Sequence, residues 1–171
     1  MLAPIQCERS VAKTRGMATT TNLIRWVPRG MWVAVVRDGV VRRVRTSGLV
    51  CRLPLVEQFV EETDGPCDVP LHARATTRDG VPVLVLAEAT VSIPRPAVGT
   101  RYADPWPAAE QAAEETIART VTGWSATDLT QAVAATTQPL RRAVDAAADR
   151  HGVQVVDLDL VEVDVQLNGS R

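Results

Sequence analysis

Residues 31–45 read Met31-Trp32-Val33-Ala34-Val35-Val36-Arg37-Asp38-Gly39-Val40-Val41-Arg42-Arg43-Val44-Arg45. Two valine-rich runs flank Arg37-Asp38-Gly39, and an Asp-Gly pair takes the positive φ values of a tight primed turn at little cost. The stretch therefore predicts a β-hairpin. Towards the N-terminus the apolar pattern begins at Trp26 and Val27. Residues 1–25 carry no periodicity, include the run Ala18-Thr19-Thr20-Thr21 and hold a second candidate start at Met17. They are expected to be a disordered extension, with one folded domain over 26–168 and a tail at 169–171.

Towards the C-terminus, Gly48 precedes an apolar segment from Leu49 to Leu55, interrupted by Pro54 and continued by Phe59-Val60 to an Asp64-Gly65-Pro66 turn. A strand through Val69, Leu71, Ala73 and Ala75 leads to a second Arg-Asp-Gly at 78–80. Val81 to Ile93 then reads as a long strand, with Pro82 near its start, where a missing N–H does least harm. The period next changes from two to 3.6. Ala109, Ala112, Ala113, Thr116, Ile117, Thr120 and Val121 form a helical stripe, with Asp104 placed to cap it and Gly123 to stop it. Ser125 and Asp128 have the spacing of a capping box. Leu129, Val133, Leu140 and Val144 continue as a second stripe ended by Gly152, and Pro139 should split or bend it. The end alternates: Asp157, Asp159, Glu162, Asp164 and Gln166 interleave with Leu158, Leu160, Val161, Val163, Val165 and Leu167. The single slip at Leu160-Val161 predicts a β-bulge or a strand that changes its buried face. The fold class is α+β, with mainly antiparallel sheet, two or three packed helices and a long C-terminal strand.

A chain of 171 residues supports one real core, and with 46% hydrophobic but only 4% aromatic residues that core is built of Val, Leu, Ile and Ala. Cys7, Cys51 and Cys67 are odd in number and contain no CxxC pair, which fits a reducing compartment better than a zinc knuckle or a disulfide framework. No apolar run approaches the length of a membrane span, and Glu8, Arg9, Lys13 and Arg15 stand where a signal peptide needs apolar residues. The expected location is cytoplasmic, with peripheral membrane contact allowed for. The charge is uneven: residues 1–60 carry ten Lys/Arg against three Asp/Glu, and residues 61–171 carry nine against seventeen. Such an asymmetry suits an anionic partner, copies that complement one another, or a simply solvated surface.

Several stretches in this order resemble SPFH/band 7 domains, the family of stomatins, prohibitins and flotillins. They are Val27-Pro28-Arg29-Gly30, the Arg37-Asp38-Gly39 hairpin, Ser47-Gly48-Leu49, Leu53-Pro54-Leu55 and Thr77-Arg78-Asp79-Gly80-Val81-Pro82-Val83. Then come the Ala/Glu helix ending Thr120-Val121-Thr122-Gly123, His151-Gly152-Val153-Gln154-Val155 and the acidic closing strand. The resemblance spans about residues 26–167. It implies a non-enzymatic scaffold or oligomerisation module that clusters at membranes or modulates a partner membrane protein or protease, with no cofactor and no metal. The family's N-terminal membrane segment and its coiled-coil tail have no counterpart in these residues, and Ala134-Ala135-Thr136-Thr137 replaces the charged start of its last helix.

The chemistry that the residues allow is sparse. No phosphate-binding or nucleophile-elbow motif occurs, and the only lysine is Lys13. The enzymatic alternative is a thiol–imidazole pair, Cys51 or Cys67 with His72 or His151, on an unrelated α+β fold. The basic segment Arg37, Arg42, Arg43 and Arg45 is the candidate contact with anionic lipid or a partner. Nucleic acid is not expected, because no aromatics interleave these charges. Among Trp26, Trp32, Trp106 and Trp124, Trp106 between two prolines is the candidate for self-association into a homo-oligomer.

Overall fold

A computed structural model of the chain describes residues 23–132 and 138–165. The chain packs as two compact units, residues 1–67 with 93–104 and residues 68–92 with 105–171. Residues 1–22, 133–137 and 166–171 lie outside the described residues, and with them most of the expected extension, the Ala134–Thr137 run and the expected 169–171 tail.

The first unit holds five strands: β1 (Ile24–Val27), β2 (Met31–Arg37), β3 (Val40–Arg45), β4 (Gly48–Cys51) and β5 (Glu57–Thr63). β1 thus opens inside the stretch read as extension. The hairpin turn is of the primed kind, with φ of 52° at Asp38 and 73° at Gly39. β2 is central in the order β3-β2-β5 and antiparallel to both neighbours, and Trp32 to Val36 are buried in succession. A strand covered on both faces needs a continuous apolar run, which this one has. β1 and β4 pair separately as a two-stranded antiparallel ribbon. Val27 and Val50 of the ribbon pack with Val33, Val35 and Phe59 of the larger sheet, so the unit is a small sandwich. Residues 99–101 close the free edge of β3: Val41 N–H donates to Thr100 O at 2.9 Å and Gly99 N–H to Val41 O at 2.8 Å. Arg95 forms a forked ion pair with Asp64, holding that carboxyl below its ordinary range.

The second unit is built on β6 (Cys67–Thr76), β7 (Pro82–Ser92) and β8 (Gln154–Val165), in that order across the sheet. Its helices are α1 (Trp106–Thr122), α2 (Ala126–Ala132) and α3 (Gln138–Asp149). Alternation along β7 buries Val83, Val85, Ala87, Ala89 and Val91. Of the helices, α1 buries Ala109, Ala113, Ile117 and Val121, and α3, which lies against α1 and β8, buries Leu140, Val144 and Ala148. These i, i+4 stripes are those that the 3.6 period demands.

The capping position of α1 falls on Pro105, one residue past Asp104, with no side-chain cap; proline suits a helix start because no intrahelical partner awaits its missing N–H. The capping box forms as read, with Asp128 N–H donating to Ser125 Oγ at 3.1 Å and Ser125 N–H to Asp128 Oδ2 at 3.0 Å. Pro139 lies in the first turn of α3, and the second stripe is divided into two helices.

The two edge strands of this sheet are guarded in the same way. His72 N–H on β6 donates to Glu114 Oε1 of α1, and Val155 N–H on β8 donates to Asp145 Oδ1 of α3, both at 2.9 Å. A helix carboxylate thus occupies a donor on each edge strand, which disfavours strand addition at those positions.

Candidate functional site

A two-stranded ribbon has two faces and a period of two, so its composition decides what it shows to solvent. In the β1–β4 register Arg25 lies opposite Val50 and Val27 opposite Gly48, while Ile24 lies opposite Cys51 and Trp26 opposite Leu49. The first set faces the sandwich. There Arg25 reaches Glu61 of β5 at 2.6 Å, and burial pushes the Glu61 carboxyl up while Arg25 pulls it the other way. The second set faces outward and is apolar too: Ile24 is 63% exposed, Trp26 65% and Leu49 66%, with Cys51 exposed beside them.

The loop from β4 to β5, residues 52–56, extends this face. The sequence reads as one apolar segment through Leu55; the chain instead breaks at Pro54 and turns at Leu55, which takes a left-handed φ of 67° and is wholly exposed. Leu53 and Val56 are about half exposed. Beneath them lies a polar knot. Glu57, buried at the start of β5, accepts at Oε2 from both Leu53 N–H at 2.8 Å and Arg43 Nη2 at 2.9 Å. Arg43 also donates to Cys51 O at 3.0 Å, Arg52 Nη1 donates to Glu57 O at 2.7 Å, and the Arg52 guanidinium lies 5.5 Å over the Phe59 ring. The loop's aliphatic side chains point away from the unit while its neighbouring charges are tied to one another and to its backbone, Glu57 buried, Arg52 partly buried and Arg43 still 44% exposed.

The four arginines expected to act together are divided by this arrangement. Arg43 belongs to the knot. Arg37 lies 3.6 Å from Asp38 at the hairpin tip. Arg42 is the extra residue of a bulge, since Val35 faces Arg43 and Val36 faces Val41, and it is exposed, as is Arg45. Neither Arg42 nor Arg45 forms an ion pair among the described residues. Trp106 is half buried at the start of α1, and Trp26 is the tryptophan that the fold leaves most exposed. The ribbon face was missed in the sequence because apolar residues there read as core; the one available signal was Pro54, whose missing N–H confines it to edge strands, strand ends and breaks.

Elsewhere the geometry offers less. A depression of about 560 Å³ between β6 and α1 is lined by His72, Arg74, Leu84, Glu114 and Glu115 among others, with no thiol or hydroxyl. Cys67 and His72, five apart on β6, point to opposite faces, Cys67 buried and His72 exposed. Among the described residues no three His, Cys, Asp or Glu side chains are grouped to hold a metal ion. No helix among them is long and apolar enough to cross a membrane. No curated protein matches the chain. The family model of the SPFH domain, or Band 7, matches residues 26–167, and the chain belongs to the SPFH/band 7 family.

Proposed function

We propose that this chain is a membrane-associated scaffold module whose first unit meets an anionic lipid surface through the outward face of the β1–β4 ribbon and the 52–56 loop. Membrane-associated, non-enzymatic scaffolding is the general role of SPFH/band 7 domains. The observation that carries the reading for this chain is the exposed apolar set Ile24, Trp26, Leu49, Leu53, Leu55 and Val56 on one small unit, which also carries the exposed Arg42 and Arg45, neither in an ion pair among the described residues. Folded chains rarely leave so many large apolar side chains together in water unless something covers them. Trp suits the boundary between lipid and water, and arginine suits anionic headgroups.

The surface in this reading is the cytoplasmic side of a membrane, where the module clusters as a homo-oligomer or modulates a membrane protein or protease. Co-sedimentation with vesicles of one-third phosphatidylserine at low salt tests the lipid part: the wild-type chain is expected in the pellet, and its complete recovery in the supernatant overturns the reading. Self-association is tested by light scattering, where Trp106→Ala should give a smaller species; an unchanged size removes Trp106 from the contact.

A further inference from the structure

Resting on the membrane reading, we infer that residues 52–56 are a pre-shaped insertion loop and that Glu57 is the positioning residue that holds the loop ready, its occupant being the outer acyl region of an anionic bilayer. Three features of the loop, each costly for a chain that stays in water, point the same way. Leu55 makes no use of the fold, being wholly exposed. It also holds a left-handed φ, which branched and bulky residues rarely adopt. The polar side chains nearest the loop are engaged with its backbone and with one another, Glu57 buried and holding Leu53 N–H and Arg43, and Arg52 partly buried on Glu57 O.

The Glu57 carboxylate explains how the shape is kept. One oxygen takes the Leu53 N–H, which fixes the entry to the loop, and the same oxygen takes Arg43, which is itself bonded to the Cys51 carbonyl at the end of β4. Glu57 N–H returns a bond to Leu53 O at 3.1 Å, and Arg52 N–H donates to Leu23 O at 2.9 Å, tying the loop to the start of β1. Entry, exit and the neighbouring strand are therefore locked, and the apolar side chains of Leu53, Pro54, Leu55 and Val56 remain outside. A loop held in this form loses little conformational freedom when it enters lipid, so its apolar contact is kept as binding.

Lipid fits better than a protein groove for reasons of charge and shape. The loop follows directly on the ribbon strand that carries Leu49 and projects a wholly exposed Leu55, and Arg42 and Arg45, in no ion pair among the described residues, supply cations in the same unit. A bilayer accepts a fully exposed apolar side chain such as Leu55 in any rotation, whereas a protein groove must match it.

The test places a nitrobenzoxadiazole probe on Leu55→Cys in a chain whose Cys7, Cys51 and Cys67 are replaced by Ser, Ser and Ala. With phosphatidylserine vesicles the emission is expected to shift to the blue and gain severalfold in intensity, and acyl chains spin-labelled near the headgroup should quench it. A probe on Thr76→Cys, at the end of β6, should not change. Leu55→Asp should lower vesicle partitioning at least about tenfold while the melting temperature stays unchanged, since Leu55 packs on nothing. Glu57→Gln keeps an acceptor for Leu53 but weakens the hold on Arg43, and should reduce the blue shift at position 55 more than it lowers the melting temperature. If wild-type chain fails to bind the vesicles, the membrane reading itself falls. If it binds while the probe at 55 stays in water, insertion alone is wrong. If Glu57→Gln and Glu57→Ala, both still folded, insert as deeply as wild type, the positioning role of Glu57 is wrong. A change of oligomer size in Leu55→Asp without loss of vesicle binding assigns the tip to a protein contact and overturns the proposal.

Discussion

At the scale of single residues, the Arg-Asp-Gly turn at 78–80 does more than reverse the chain. Asp79 sits against the start of α2, with Ala126 N–H 3.2 Å from each carboxylate oxygen, and Arg78 N–H donates to Trp124 O at 2.8 Å. The Thr77 side-chain hydrogen bond and then the Ala126 N–H hold the Asp79 carboxyl below its ordinary 3.8, because both stabilise the ionised form. Asp128 is held down likewise, chiefly by its bonds with Ser125. A carboxyl whose folded value lies below its unfolded value adds stability that is complete above the unfolded value and disappears as the pH falls through the folded one. Asp79→Asn should therefore be less stable than wild type at pH 7, and the gap should close in acid, below about pH 4. Urea unfolding at a series of pH values measures it. A gap that stays constant down to pH 3 means that Asp79 acts through its shape and not its charge.

At the scale of elements, β8 shows how far a period can be read and where it stops. Leu86 faces Glu162 while Ala87 faces Leu160, so Val161 is an extra residue; Thr90 faces Asp157 while Val91 faces Val155, so Val156 is a second. Both valines are turned out to solvent, 58% and 46% exposed. The Leu160-Val161 slip was visible in the sequence because acidic residues mark the phase on both sides of it. The Val156 bulge was not, because Val155-Val156 has no polar residue between to mark the change. The hairpin, β7 and the stripes of α1 and α3 were legible for the same reason, a regular period with clear polar positions. The ribbon face was illegible because burial of apolar residues is a one-way rule: sequence marks Ile24, Trp26 and Leu49 as apolar and cannot say that nothing covers them. The four arginines looked alike in the sequence, and only the buried Glu57 separates Arg43 from the rest. The bulge yields a prediction. Deleting Val161 leaves Leu160, Val163 and Val165 in one unbroken alternation, so the fold and the melting temperature should survive almost unchanged. Deleting Val163 turns Asp164 to the half-buried position opposite Val85, where an unpaired carboxylate loses part of its hydration, and should lower the melting temperature clearly more than deleting Val161 does. Thermal melts followed by circular dichroism compare the two, and equal losses would show that the bulge is not where the extra residue is absorbed.

At the scale of the whole molecule, a net charge of -1 would predict indifference to an anionic surface, yet the two units divide it sharply. Among the described residues the first unit carries nine arginines against six acidic residues, and the second carries six against thirteen. Screening decides which of these numbers matters. At physiological salt the Debye length is about 8 Å, so a lipid surface responds to the charges that touch it and not to the total. In the proposed orientation those are Arg42 and Arg45, whereas Arg43 spends its charge on Glu57 and Cys51. Each arginine near an anionic surface adds about 1 kcal/mol, so Arg42→Gln with Arg45→Gln should weaken vesicle partitioning roughly 30-fold at low salt. The difference should shrink towards nothing near 1 M salt, where the Debye length is about 3 Å, while the loss caused by Leu55→Asp persists because apolar transfer is not screened. Arg43→Gln should behave differently from both, lowering the stability of the first unit and disturbing the 52–56 loop at every salt concentration. Sedimentation across a salt series separates the three variants, and a loss in the Arg42, Arg45 double variant that is the same at low and high salt would mean that these side chains act by packing, leaving the lipid contact to the apolar face alone.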